Sequence, residues 1–248
     1  MLWLIRCFIR GIALLDLAVF TLIMLLLALL PRAALAHFYP KLFHLWCRCF
    51  VMALGVSIRL HQHHQQPLPK HYILIANHPS ALEDIGIPSL FPVRSLAKIE
   101  VKDWFLVGKI ASVAGTLFVH RENKASRLAA QAELISAVTA GDCIALYPEG
   151  GCKGRRIAER FLFGAFAVSI ATDTPIVPVF LHHEAQEIFE WTNKENLIQK
   201  LWTILTSPNS VVHYHVFDPM DPKNFADKAA FCASAHQQYL KWQNRFLD

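Results

Sequence analysis

Residues 73–86 constrain the fold of this chain more strongly than any other stretch, because they combine a buried strand, a turn and a helix start. The apolar run 73–76 is typical of a strand that is buried on both faces. The turn that follows contains His78, between an asparagine and a proline. A serine precedes Glu83 by three residues, which is the capping-box spacing that opens a helix, and Asp84 comes next. The pattern therefore places a histidine at the end of a strand, with two carboxylates close behind it in the first turn of a helix.

This arrangement has two interpretations. At the edge of an α/β sheet, a strand-end histidine with an acid partner is suited to general-base catalysis. The alternative is an ordinary strand–turn–helix junction, in which the acid caps the helix and the histidine has no chemical role.

Strands and helices alternate along most of the remaining chain. Parallel strands that are joined by helices require right-handed crossovers. The pattern therefore predicts an α/β fold with a mostly parallel central sheet flanked by helices, as one domain over residues 56–248. Strands are expected at 56–60, 93–98, 115–121, 142–147, 175–181 and 210–217, and helices at 103–114, 122–140, 161–171 and 226–246, with an amphipathic insertion at 184–205.

The first part of the chain, residues 1–55, is predicted to be a membrane-associated unit. Residues 11–30 are apolar apart from Asp16, and a helix of that length is about as long as a bilayer core is thick. The apolar run is too long for a signal peptide, and no convincing cleavage site follows it. Residues 40–55 have one apolar and one basic helical face, which is typical of a helix at a membrane surface. We expect a two-helix element; a single transmembrane anchor is the alternative, and basic residues on both sides of the first segment leave its topology open.

Composition supports a membrane-associated protein with a globular body. Hydrophobic residues make up 54% of the chain and charged residues 17%, against about 45–50% and about 25% in soluble domains. The net charge of +5 suits an anionic bilayer or a phosphate-bearing substrate. No basic stripe with interleaved aromatic residues indicates a nucleic-acid partner. The six cysteines lack zinc-ligand spacing, and we expect reduced thiols in a cytoplasmic compartment.

A short histidine-rich tract covers residues 61–67. His61, His63 and His64 offer three imidazoles that could bind a metal. The tract is short and has no acid nearby, so the sequence favours a solvated polar turn, and we expect no metal site.

Polar residues collect at the carboxyl ends of successive predicted strands, the edge where open α/β sheets bind ligands. Each cluster is weak alone, since a strand-end cation is usually solvated and Pro-Glu-Gly is usually a turn. Their common edge makes coincidence less plausible. The clusters are His78 with Glu83 and Asp84, then Lys98, then Arg121, then Glu149-Gly150-Gly151.

These clusters resemble the motifs of the glycerolipid acyltransferase family, which includes the 1-acyl-glycerol-3-phosphate acyltransferases. The resemblance covers roughly residues 70–182, and its four motifs occur in the family's order. The family's histidine–acid, glycine–arginine, Phe-Pro-Glu-Gly-Thr and proline-containing strand motifs correspond to Asn77-His78 with Glu83-Asp84, Gly115–Arg121, Tyr147–Gly151 and Pro175–Val179. The two-helix membrane element is also similar to that of the family.

The sequence departs from the family pattern at three places. Glu83 stands where the family has aspartate, and Asp84 follows; we expect Asp84 to be the partner of His78, since its shorter side chain resembles the family's acid, with Glu83 as the alternative. Gly151 replaces a threonine, and a lysine that often precedes the fourth motif is absent from residues 161–164. The last two departures concern contacts to the substrate's phosphate more than the chemistry.

The resemblance implies transfer of an acyl chain from acyl-CoA or acyl-carrier protein to a lysophospholipid hydroxyl. The expected acceptor is 1-acyl-glycerol-3-phosphate and the product is phosphatidic acid, made at the cytoplasmic face of the cell membrane. His78 would take the proton of the hydroxyl, and its acid partner would orient the ring and stabilise the imidazolium. No cofactor besides the acyl donor, and no covalent enzyme intermediate, is expected.

The remaining predicted site residues would bind substrate. Backbone N–H groups near Gly150 and Gly151 are candidate donors to the oxyanion. Arg121, assisted by Lys98 or Lys153, would bind the phosphate. Glu149 is expected to bind glycerol hydroxyls or to order its loop, and the helix after residue 103 would line an acyl slot or belong to the core.

Three other functions stay open at this point. The nearest is acyl transfer to another lyso-lipid, such as lyso-ornithine lipid. A metal-dependent hydrolase would use His78, Asp84 and Glu149, although the sequence has no recognisable ligand set for it. A membrane-anchored binding protein with a degenerate site is the third possibility.

Overall fold

The structure is a computed structural model that describes residues 2–191 and 196–248. Residue 1 of the predicted membrane unit and residues 192–195 of the predicted insertion lie outside the described residues.

A seven-stranded sheet forms the centre of the molecule, with the strand order β1-β7-β6-β2-β5-β3-β4. Strand β2 pairs in parallel with β5 and β6, β3 pairs in parallel with β4 and β5, and β1 pairs in parallel with β7. The pair β6–β7 is antiparallel. The predicted α/β fold with a mostly parallel sheet is confirmed. The strands are β1 Ser57–Gln62, β2 Ile73–Ala76, β3 Arg94–Lys98, β4 Leu117–Val119, β5 Ile144–Leu146, β6 Ile176–His183 and β7 Val211–Val216.

Helices cover both faces of this sheet. One face packs on α6, α7 and α10 through a core that includes Leu134, Phe166 and Tyr239. The other face packs on α3, α4, α8 and α9 through residues such as Val51 and Phe189. The helices are α1 Leu2–Leu27, α2 Arg32–Leu35, α3 Tyr39–Ala53, α4 Glu83–Leu90, α5 Val107–Val113, α6 Lys124–Thr139, α7 Gly164–Thr172, α8 Gln186–Phe189, α9 Leu197–Thr206 and α10 Lys228–Phe246, with 3-10 turns at Ile99–Asp103 and Pro222–Asn224.

Three local predictions are wrong. The capping box expected at Ser80 does not open the helix, because α4 begins at Glu83 with Leu82 as its N-cap, and no described side chain caps that end. The helix expected over 103–114 is a 3-10 turn followed by the shorter α5, because Leu106 adopts a left-handed backbone conformation with φ of 63° directly before α5. The turn predicted to begin at residue 61 begins later, because β1 continues to Gln62. His61 is therefore part of the sheet.

The N-terminal helix α1 has the length and composition of a membrane span. The stretch 8–27 is mostly apolar and few of its residues are buried in the protein, and no other described helix is both long enough and apolar enough to cross a membrane. Helix α3 packs against α1, where the Tyr39 hydroxyl donates to the Met24 carbonyl at 3.0 Å. On its other side α3 is bonded to α4, where Arg48 Nε donates to the Ser89 carbonyl at 2.7 Å. The membrane contact of α3 and the domain boundary at residue 55 stay predictions.

Candidate active site

His78 lies in the loop after β2, and hydrogen bonds of its backbone N–H and carbonyl groups hold it in place. Its N–H donates to Glu149 Oε2 at 2.6 Å, and its carbonyl accepts from the Lys153 N–H at 3.2 Å. The ring of Tyr147 stacks on the imidazole at a centroid distance of 4.1 Å. Only 4% of His78 is exposed. The ring is therefore held in one orientation by two loops that follow parallel strands.

Glu83 is the carboxylate that contacts this ring. Its Oε2 lies 3.0 Å from His78 Nδ1 and accepts from the Ser80 N–H at 2.8 Å. Its Oε1 accepts from the Ser80 hydroxyl at 2.8 Å and lies 3.5 Å from His183 Nε2. Burial opposes the charge, but the nearby rings of His183 and His78 outweigh it and lower the pKa of Glu83 to about 2. An ionised carboxylate thus faces Nδ1, which favours the tautomer that leaves Nε2 to accept a proton.

The expected contact between His78 and Asp84 is absent, and Glu83 takes that place. The reason is helical geometry: α4 begins at Glu83, and successive helical side chains point about 100° apart. Asp84 instead lines an apolar cavity, and it has no hydrogen bond or ion pair among residues 2–191 and 196–248. Burial, reinforced by the charge of Glu83 and opposed by His78 and Arg121, raises the pKa of Asp84. The catalytic importance of either acid remains a prediction.

Cys152 occupies the other side of the imidazole. Its Sγ lies 3.5 Å from His78 Nε2 and donates to the Ser80 carbonyl at 3.2 Å. Burial opposes protonation of His78, but the bonds to Cys152 and Glu83 and the charge of Asp84 raise its pKa well above the ordinary value. The sequence analysis missed Cys152, although it directly follows the Glu149-Gly150-Gly151 motif.

His183 is a second residue that the sequence analysis missed. It ends β6, is fully buried, and lies between Glu83 and the ring of Phe189, on which it stacks at 4.5 Å. Adjacent histidines at 182 and 183 end a strand that faces core on both sides, and alternation sends one of them toward each face. This pair of adjacent histidines was the sequence feature that could have identified His183.

Arg121 reaches the loop that carries the glycines. Its Nη1 donates to the Gly150 carbonyl at 2.6 Å. Gly151 has φ of 154°, and a Cβ there would lie 3.1 Å from Arg121 Nη1. The glycine that replaces the family's threonine therefore leaves room for the guanidinium.

Of the two backbone N–H groups predicted as oxyanion donors, those of Gly150 and Gly151, one already has an acceptor in the protein. The Gly150 N–H donates to the Tyr147 carbonyl at 3.0 Å, whereas the Gly151 N–H has no acceptor among the described residues. Glu149 accepts from backbone N–H groups with both oxygens, the second bond coming from Ala158 at 2.9 Å. Burial raises the pKa of Glu149, and these bonds oppose the shift. Glu149 thus orders the loop around His78.

The other two predicted cations have different surroundings. Lys98 Nζ pairs with Glu100 at 2.8 Å, and this contact raises the pKa of Lys98. The Lys153 side chain is exposed, and its backbone N–H contacts the His78 carbonyl. Of the three predicted phosphate contacts, Arg121 is the one whose side chain contacts the motif loop.

A largely apolar cavity opens beside the histidine–acid pair. It holds about 970 Å³ of empty space, counting the part open to solvent. Ser80 and Asp84 lie in its wall, so it reaches the chemical groups. Its apolar lining comes from α3, α4, α5 and α9 and from the segments next to them, and includes Phe43, Trp46, Phe50, Trp104, Val107, Ala111, Leu201 and Ile204.

The α/β sheet has a buried histidine–carboxylate pair at its carboxyl edge, beside an apolar cavity, an arrangement suited to general-base chemistry on an apolar substrate. The family model described as Acyltransferase matches residues 57–182, about half of the chain. The protein therefore belongs to the Acyltransferase family, and the resemblance to glycerolipid acyltransferases is confirmed.

Individual relatives agree with this family. The lyso-ornithine lipid O-acyltransferase of Pseudomonas aeruginosa is 25% identical over 213 residues, which cover 84% of this chain and 80% of that protein. Human 1-acyl-sn-glycerol-3-phosphate acyltransferase alpha is 25% identical over 130 residues, 51% of this chain and 46% of the human protein. The crystal structure of the 1-acyl-sn-glycerophosphate acyltransferase PlsC from Thermotoga maritima shares the fold, with a TM-score of 0.68 at 17% identity over 95% of this chain and 97% of that one.

Proposed function

We propose that this acyltransferase moves an acyl chain from a thioester, acyl-CoA or acyl-carrier protein, to the free hydroxyl of a lyso-lipid at a membrane surface. The observation that carries the proposal is the buried pair of His78 and Glu83, with Nδ1 and Oε2 3.0 Å apart, next to an apolar cavity. Catalytic roles for both residues are part of the proposal.

The proposed chemistry needs one base and no covalent enzyme intermediate. The acceptor hydroxyl approaches His78 Nε2 and gives up its proton as its oxygen attacks the thioester carbonyl. The Glu83 carboxylate stabilises the imidazolium that forms. Collapse of the tetrahedral intermediate breaks the carbon–sulfur bond, and the imidazolium returns the proton to the leaving thiolate. The hydroxyl must reach the side of the ring that Cys152 now faces, so the thiol has to turn aside when substrate binds.

The proposed substrate contacts follow from the surrounding groups. The Gly151 N–H is the candidate oxyanion donor, because the Gly150 N–H already bonds Tyr147. Arg121 is the candidate partner of an anionic headgroup, with the exposed Lys153 as a second cation. The apolar cavity suits the donor's acyl chain. Helix α1, with its exposed apolar surface, would keep the site at the cytoplasmic side of the cell membrane, where acyl thioesters are available.

Two acceptors fit this site. The first is 1-acyl-glycerol-3-phosphate, which the sequence motifs favour and whose phosphate Arg121 would bind. The second is lyso-ornithine lipid, which is favoured by the coverage of the Pseudomonas aeruginosa relative. Its headgroup carries a carboxylate, which Arg121 would bind. The departures at Gly151 and at residues 161–164 are compatible with an anion other than phosphate.

A matched acceptor panel tests the proposal. The full chain in detergent or in vesicles is incubated with labelled acyl-CoA, or separately with acyl-carrier protein, and each lyso-lipid in turn. We expect one acceptor to become doubly acylated, with the other converted at least about tenfold more slowly. Activity that is unaffected by exhaustive chelation would exclude the metal-dependent hydrolase. Thioester hydrolysis without transfer to any lyso-lipid would contradict the proposal.

A further inference from the structure

Five histidines meet on one face of the sheet, away from the candidate active site. His61 and His63 come from β1 and the residue after it, His182 from β6, and His213 and His215 from β7. Their rings stack, with His61 4.5 Å from His215 and His182 4.6 Å from His213 between centroids. We call this group the histidine array. The array is buried on its inner side by Phe246, 3.9 Å from His215.

Strand register brings these residues together. His61 on β1 lies directly opposite His215 on the parallel strand β7. His213 precedes His215 by two residues and therefore shares its face of the sheet. His182 lies opposite His213 on the antiparallel strand β6. Its neighbour His183 points to the other face, toward Glu83, so the array and the candidate active site lie on opposite sides of β6.

Three members of the array offer nitrogens at the separations that a metal ion requires. One ring nitrogen from each of His61, His213 and His215 lies within 4.8 Å of the other two. His61 Nε2 and His213 Nδ1 are 2.8 Å apart. Tetrahedral zinc with Zn–N bonds of about 2.0–2.1 Å separates its ligand atoms by about 3.3 Å. Binding would therefore require the three side chains to close around the ion.

Two ring nitrogens of the array have no partner within the described part of the chain. His215 Nδ1 is bonded to His63 Nε2 at 2.9 Å, but His215 Nε2 is buried without a hydrogen bond, and so is His182 Nδ1. Only 4% of His215 is exposed. Buried polar nitrogens are normally satisfied, so these two atoms indicate a missing ligand.

A carboxylate supports the array as it does in many metal sites. His213 Nε2 lies 3.0 Å from Glu184 Oε1, and Glu184 is itself held by Asn209 Nδ2 at 3.1 Å. A carboxylate on the second ring nitrogen fixes the tautomer of a metal-bound histidine and increases its basicity.

We propose that His61, His213 and His215 bind one divalent transition-metal ion that prefers imidazole, with a fourth position left to water or to His182. Zn²⁺ is the probe, because it accepts three histidines in tetrahedral geometry. The ion would join the edge strand β1 to β7. This site is independent of the proposed acyl transfer.

The test is zinc binding to the full chain, purified in detergent with a tag that contains no histidine. Competition with a chromophoric chelator gives affinity and stoichiometry, and Co²⁺ absorption reports tetrahedral geometry. We expect one ion per chain. A His213→Gln/His215→Gln double variant should lose at least about 100-fold in affinity, and Glu184→Gln about 10–100-fold. His71→Gln, an exposed histidine elsewhere, is the matched control and should bind normally.

Two further measurements keep the result decisive. The thermal midpoint of each variant without metal shows whether it is folded, and zinc should raise the midpoint of the wild type but not that of a folded double variant. The stoichiometry should persist in a His78→Ala background, which excludes binding at the active site. An absence of bound zinc, or affinity that the double substitution leaves unchanged in a folded protein, would overturn the proposal.

Discussion

The choice between the two adjacent acids provides the sharpest test of the site. Glu83→Gln keeps the size of the side chain and can keep most of its contacts. The amide oxygen can accept from His78 Nδ1 and from the Ser80 N–H, and the amide nitrogen can donate toward the Ser80 hydroxyl. What disappears is the negative charge beside the imidazolium.

The magnitude follows from that charge. Unit charges about 4 Å apart at an effective dielectric constant of about 20 attract by about 4 kcal/mol, which corresponds to about 10³-fold in rate. We therefore expect Glu83→Gln to lower kcat by about 10²–10⁴-fold. Asp84→Asn should lower it by less than about tenfold, since Asp84 contacts neither His78 nor any other described hydrogen-bond partner.

The assay is steady-state acyl transfer by both variants, with circular dichroism and thermal midpoints recorded on the same preparations. The reasoning fails if a folded Glu83→Gln protein is active and Asp84→Asn is not, because the structure would then have assigned the wrong acid.

Four further predictions concern other parts of the account. Because the pKa of His78 is raised and only its neutral form accepts a proton, kcat/KM should increase with pH through a value above about 6.5; Glu83→Gln should move that limb to lower pH, and a profile with no ascending limb would contradict this. Cys152→Ala should retain activity within about tenfold and resist the inactivation by thiol alkylation that we expect of the wild type, whereas a dead variant or a trapped acyl-thioester would indicate covalent catalysis. Arg121→Ala should raise KM for the acceptor by about tenfold or more and leave KM for the donor unchanged. If KM for both substrates equals that of the wild type, Arg121 only supports the loop. Deleting residues 1–55 should lower membrane affinity and cause aggregation, because α3 lines the apolar cavity; a soluble, monomeric and fully active fragment would argue against that role.

The sequence was most informative where local rules suffice. The buried strand 73–76, the turn at His78 and the presence of a helix after it depend on the composition of near neighbours. The position of Arg121 at the motif loop followed from the common edge of parallel strands. These features were predicted correctly because local composition and strand direction determine them.

Features that depend on exact rotation or on distant pairing were not predictable. The sequence favoured Asp84, but the rotation between successive helical residues turns Glu83 toward His78 and Asp84 away from it. Cys152 and His183 come from separate loops and strands, and their approach to the ring depends on the sheet order. The histidine array required the pairing of β1 with β7, in which His61 and His213 lie 152 residues apart in sequence.

The central claim is that His78 is the base for acyl transfer, and the turnover of purified, folded His78→Ala protein tests it most directly. With a saturating acyl thioester and the acceptor that the panel identifies, the variant should be slower than wild type by about 10²–10⁴-fold or more, with a thermal midpoint that shows an intact fold. A folded His78→Ala protein that transfers acyl chains at nearly the wild-type rate would contradict the account.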